Sequence, residues 1–148
     1  MLDSALLRFA RHGTWLLLAG LLTGFGMGKF HSHHLANAAH LTGLIGGFGL
    51  IAVGSLWSRL TLGPRWSPIG AWTFIISMHL SWLGLVLKGA LGSGPDAPLN
   101  TLGPGAASWD AISGLVLAVA AVLAVVATVF LLVGLRQNRQ SSGTVGAA

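Results

Sequence analysis

The sequence predicts an all-α fold, a polytopic membrane four-helix bundle with both termini cytoplasmic, and three observations lead there. The 148-residue chain is 53% hydrophobic and only 7% charged, with a mean hydropathy of +0.77, which leaves too little polar surface for a soluble globule of one domain. Four apolar runs each approach the roughly 20 residues that cross a hydrocarbon core of about 30 Å. All five prolines, Pro64, Pro68, Pro95, Pro98 and Pro104, fall between those runs, where a missing backbone donor costs least.

The spans are expected at 13–28, 37–60, 69–91 and 111–135, within a four-transmembrane-helix domain of residues 1–136. The first is short, and Ala5 to Phe9 continue it as an interfacial turn from which Arg8 and Arg11 reach the headgroups. The fourth, "AISGLVLAVAAVLAVVATVFLLVGL", is apolar around its whole circumference and suits a lipid-facing helix. The tail "QNRQSSGTVGAA", residues 137–148, lacks apolar periodicity and is expected to be a disordered cytoplasmic end.

Charge sets the orientation. Arg8, Arg11, Arg59, Arg65, Arg136 and Arg139 share one side of a four-span chain and Lys29 and Lys88 the other, so the positive-inside rule puts both termini in the cytoplasm of an inner-membrane protein. Trp15, Trp57, Trp66 and Trp72 lie near the basic interface and Trp109 near the other, while Trp82 is deep. A pI near 11.7 would fit a nucleic-acid partner, but the basic residues stand singly at the edges of apolar segments, which excludes that reading. The lack of cysteine excludes disulfides, thiolate metal sites and covalent c-type haem. The first apolar segment does not read as a cleavable signal peptide.

Polar groups inside the spans need partners, because lipid offers none. On the second span His33, Asn37, His40, Gly43 and Gly47 share one face, an imidazole beside a strip of bare backbone. His40 reads either as an interhelical hydrogen bond to a backbone carbonyl or as a ligand. Gly20, Gly24 and Gly28 on the first span, and Gly43 and Gly47 on the second, have the small-xxx-small spacing of close helix contact. On the third span Trp72, Ile75, His79, Trp82 and Val86 form one stripe, and Thr73, Ser77, Ser81, Gly84 and Lys88 another. His31, His33 and His34 in the first loop read as a solvated turn or a surface metal site. His12, at the basic end of the first span, is expected about a bilayer's thickness from His40.

The segments "RHGTWLLLAGLLTG", Arg11 to Gly24, and "AHLTGLIGGFGLIAVGSLWSRLTL", Ala39 to Leu62, resemble the membrane-bound hydroxylaminobenzene mutases and styrene oxide isomerases. The likeness extends in segment order over roughly residues 8–135. It implies a trimeric isomerase that holds haem b, with His40 as axial ligand to the iron and with Gly43 and Gly47 admitting either the macrocycle or a neighbouring helix. The chain departs from both prototypes: Thr42 and Gly46 stand where the family carries glutamate or asparagine, and "SMHLSWLGLVLK" lacks the aspartate and tyrosine of the isomerases' third helix. His79 and Trp82, one helical turn apart, are the candidates to replace them as catalytic groups.

The chemistry this implies is a redox-neutral rearrangement of a small apolar substrate, either an aryl hydroxylamine or an epoxide, with ferric iron as Lewis acid. Two other readings stand beside it. One is a haem-binding electron-transfer or sensor protein with His40 and His79 both as axial ligands; the other is a non-enzymatic membrane subunit or transporter with structural or proton-carrying histidines.

Overall fold

The computed structural model describes residues 4–91 and 107–143, with side chains described for 4–91 and 108–136. Four helices follow one another: α1 Ser4–Phe25, α2 His33–Trp57, α3 Trp66–Leu91 and α4 Ala107–Gly143, with a single 3-10 turn, Met27–Lys29, between α1 and α2. The described residues contain no strand. The chain is a multi-pass α-helical membrane protein. Helices α2, α3 and the 108–136 part of α4 are each long and apolar enough to cross a bilayer. Helix α1 is less apolar because Arg8, Arg11 and His12 occupy its first half, but it runs beside α2 for its whole length.

Each predicted span corresponds to a helix, with shifts at the ends that have local causes. Helix α1 starts at Ser4, well before Gly13, because Phe9 is a fully buried core residue that the helix must carry to Trp57. It stops at Phe25, where Gly26 turns the chain into the 3-10 segment. Helix α2 starts at His33, where the Ser32 side chain caps it by accepting from the Leu35 amide at 3.4 Å. Pro68 lies in the first turn of α3 and not in a loop; a first-turn amide has no intrahelical acceptor, so its loss there is cheap. Pro95, Pro98 and Pro104 lie outside the described residues. Helix α4 continues to Gly143, into the stretch expected to be irregular, since each residue added to an existing helix gains a hydrogen bond without a new nucleus. Residues 144–148 of that expected tail lie outside the described residues.

Neighbours in sequence pack antiparallel. Phe9 meets Gly54, Gly13 meets Gly47 and Leu50, Gly20 meets Gly43, and Gly24 meets His40, one continuous α1–α2 register. Met78 against Gly46 and Trp82 against Gly43 set α2 on α3, and Phe130 against Gly70 and Leu117 against Gly84 set α3 on α4. A smaller α1–α3 contact closes the three-helix core, where Phe9, Leu16, Leu50, Trp57, Ala71 and Ile75 are buried together. Helix α4 packs on the edge of that core through Leu131, while its Leu115, Val122 and Val125 are more than 60% exposed, as a lipid-facing helix requires. This register gathers Arg8, Arg11, Arg59, Arg65 and Arg136 at one end of the bundle and Lys29 and Lys88 at the other.

The tightest seam is α1 on α2. A Cβ added at Gly43 would stand 2.5 Å from Gly20 Cα, and one at Gly47 would stand 2.8 Å from the Gly13 carbonyl oxygen. Only bare backbone permits that approach. Between helices in lipid, van der Waals contact and hydrogen bonds carry most of the association, so this closeness is the stabilising feature itself.

Candidate functional site

His40 leans from α2 across the seam, and its Nδ1 lies 2.8 Å from the carbonyl oxygen of Gly20. A carbonyl only accepts, so Nδ1 carries the proton and donates. With Nδ1 so committed, the lone pair of the imidazole form is on Nε2, which makes no hydrogen bond among the described residues. Gly24, one turn beyond Gly20, provides the room: a Cβ there would lie 2.7 Å from His40 Nδ1 and 2.9 Å from its Cε1. The imidazole is thus held by main chain alone, in a fixed tautomer and half-buried. Both readings of His40 left open by the sequence share this bond, because a ligating histidine ordinarily donates its second ring N–H to a carbonyl or carboxylate.

Gly43 and Gly47 admit a helix. The space beside Gly43 is filled by Gly20 backbone and by Trp82, and that beside Gly47 by Leu17 and Gly13. A macrocycle has no place there, so their part in the site is to bring α1 within reach of His40.

Trp82 joins this neighbourhood from α3. Its Cδ1 would be 3.1 Å from a Cβ on Gly43, and its Nε1 donates to Thr23 Oγ1 at 3.2 Å. Thr23 in turn donates to the Ala19 carbonyl at 2.8 Å, so the indole is oriented by a buried hydroxyl that is itself fixed. Gly20, Thr23 and Gly24 on α1 were seen in sequence only as packing residues or not at all. A lone threonine between two glycines of an apolar helix is the signal that could have marked them.

His79 faces elsewhere. Its Nδ1 donates back to the Ile75 carbonyl at 2.9 Å, and its ring meets His12 edge-on with centroids 5.4 Å apart. His12 also meets Trp72 edge-on at 5.4 Å, and the Arg8 guanidinium lies over Trp72, 5.5 Å from the ring centre. His79 and Trp82, placed together by sequence, therefore serve two neighbouring clusters along the α1–α3 contact. The His12 partnership was not anticipated.

At the opposite end His31 Nδ1 donates to the Ala90 carbonyl at 2.6 Å, tying the first loop to the end of α3, while His33 and His34 are exposed. Among the described residues no three histidines or carboxylates are gathered so as to hold a metal ion.

Fold and site together define a multi-pass helical membrane protein in which the His40 imidazole, its Nδ1 committed to the Gly20 carbonyl, is offered from a glycine-lined contact between α1 and α2. The family model described as styrene oxide isomerase matches residues 7–136, and the chain belongs to that family. A hydroxylaminobenzene mutase from Ectopseudomonas oleovorans is 31% identical over 87 residues, a stretch covering 59% of this chain. The chain spans about half, 53%, of the length of that curated relative.

Proposed function

We propose that the protein is a haem b-dependent membrane isomerase that rearranges a small apolar oxygenated substrate without net redox change. The substrate class is an aryl hydroxylamine converted to an aminophenol or an epoxide converted to a carbonyl compound. Family membership supports the isomerase class, and the observation that carries the cofactor assignment is the His40–Gly20 bond, which fixes the proton on Nδ1 and leaves Nε2 for iron.

The residues present fit such a group: an imidazole whose Nδ1 is held by a carbonyl, with a glycine where a side chain would crowd the ring. His40 would be the axial ligand, and the bound haem supplies a Lewis acid for the substrate's oxygen. Trp82, oriented by Thr23 beside the same seam, has the electron-rich ring that would suit a substrate atom gaining positive character. His79, whose Nδ1 donates to the Ile75 carbonyl, belongs to the neighbouring cluster with His12, and its part would be to exchange a proton on that side of α3. The surrounding helices are apolar and exclude the water that would divert a reactive substrate. By the positive-inside rule the arginine-rich end faces the cytoplasm of an inner membrane, and the family resemblance supports a homotrimer.

The test is an optical spectrum of the detergent-purified protein and of its His40→Ala variant, with both assayed on phenylhydroxylamine and styrene oxide. The wild type is expected to carry porphyrin and convert one of the two. A variant that folds and keeps stoichiometric haem would remove His40 from the role of ligand.

A further inference from the structure

At the arginine-rich end, a cavity of about 470 Å³ opens on the outside of the bundle beside the first turns of α1. Arg8 and Arg11 give it a cationic end with the His12 imidazole beside them, Trp15 and Trp72 give it an aromatic wall, and Ser4 adds a hydroxyl to its lining. We infer that this cavity binds the phosphate headgroup of an anionic phospholipid, with the first acyl carbons lying along the two tryptophans.

Three features of the site carry this. One guanidinium is preorganised, since Arg8 is stacked over Trp72, a ring that His12 also meets edge-on. Among the described residues the sole carboxylate, Asp110, sits at the start of α4 at the far end of the bundle, away from these guanidinium groups; Asp3, next to Ser4 in sequence, lies outside the described residues. The wall is amphipathic in the right order: Trp15, one turn deeper than Arg11, is 65% exposed and Trp72 43%, so the cavity passes from guanidinium to aromatic surface as a lipid passes from phosphate to glycerol and chain. A free anion would use the first part of this surface and leave the second wet, which is why the lipid is the better match. Arginine is also the side chain suited to paired hydrogen bonds with phosphate oxygens.

Native mass spectrometry of the full-length protein in zwitterionic detergent tests this, with phosphatidylglycerol, phosphatidylcholine and inorganic phosphate as separate probes. Phosphatidylglycerol is expected to be retained in preference to phosphatidylcholine. Each arginine removed should weaken it about fivefold, so Arg11→Gln loses roughly fivefold and the Arg8→Gln/Arg11→Gln pair roughly twenty-five-fold. Arg11 is exposed and outside the core, so the single variant decides the matter if the pair fails to fold. Equal retention of the two lipids, or undiminished phosphatidylglycerol binding by folded Arg11→Gln, overturns the assignment. Displacement of the lipid by an equal concentration of inorganic phosphate would make the site one for free anions and equally overturn it.

Discussion

His40 Nδ1 and the Gly20 carbonyl oxygen are 2.8 Å apart, and this bond ties the chemistry of α2 to the backbone position of α1. Whatever moves α1 against α2 therefore moves the imidazole or strips its partner. Substitutions along the seam separate these effects.

Gly24→Ala places a methyl group 2.7 Å from His40 Nδ1, so the ring must swing away from Gly20. The expected outcome is a folded protein with a shifted haem absorption band and weaker haem retention. Gly28→Ala, whose Cβ would meet nothing within 4 Å, is expected to match the wild type in both. Optical titration of haem into the two variants makes the comparison.

Gly43→Ala meets backbone and not a flexible side chain, with Gly20 Cα only 2.5 Å away. The helices must part, and the cost is about 1–3 kcal/mol. Gly49→Ala points into open space and should be neutral or slightly stabilising through helix propensity, by up to about 1 kcal/mol. Thermal unfolding in detergent distinguishes the two.

The indole of Trp82 and the hydroxyl of Thr23 form a pair suited to a double-mutant cycle. Trp82→Phe and Thr23→Val each remove the same hydrogen bond, worth about 0.5–1.5 kcal/mol, so the double variant should lose less than the sum. Under the proposed function Trp82→Ala also lowers turnover about tenfold while haem stays bound, read from kcat beside the absorption spectrum.

Phe9→Ala removes a side chain with no exposed surface that stacks on Trp57 with centroids 4.9 Å apart. Even in lipid the lost contacts leave a cavity, at a cost of about 3 kcal/mol. Urea or heat unfolding in mild detergent should show the loss, and the shortened variant lacking the turn before Phe9 should not reproduce it in full.

The length of the apolar runs made the four helices legible in advance, and glycine spacing on one face marked α1 and α2 for close helix contact. Phe9 was harder to place: Arg8 and Arg11 interrupt the hydropathy around it, and only its fit against Gly54 draws α1 back to Ser4. His40 stood out as an imidazole in an apolar span, but its bond to Gly20 depends on the register between two helices, which neither helix states alone. The meeting of His12 with His79 was missed for the same reason. The expected depth of each span said nothing of how far a ring folded back toward Ile75 would reach.

The anchor of the imidazole is a peptide oxygen, which every amino acid supplies. Evolution at position 20 is consequently blind to functional-group chemistry and sensitive only to bulk: no replacement can delete the acceptor, and any replacement larger than hydrogen can wedge it out of range.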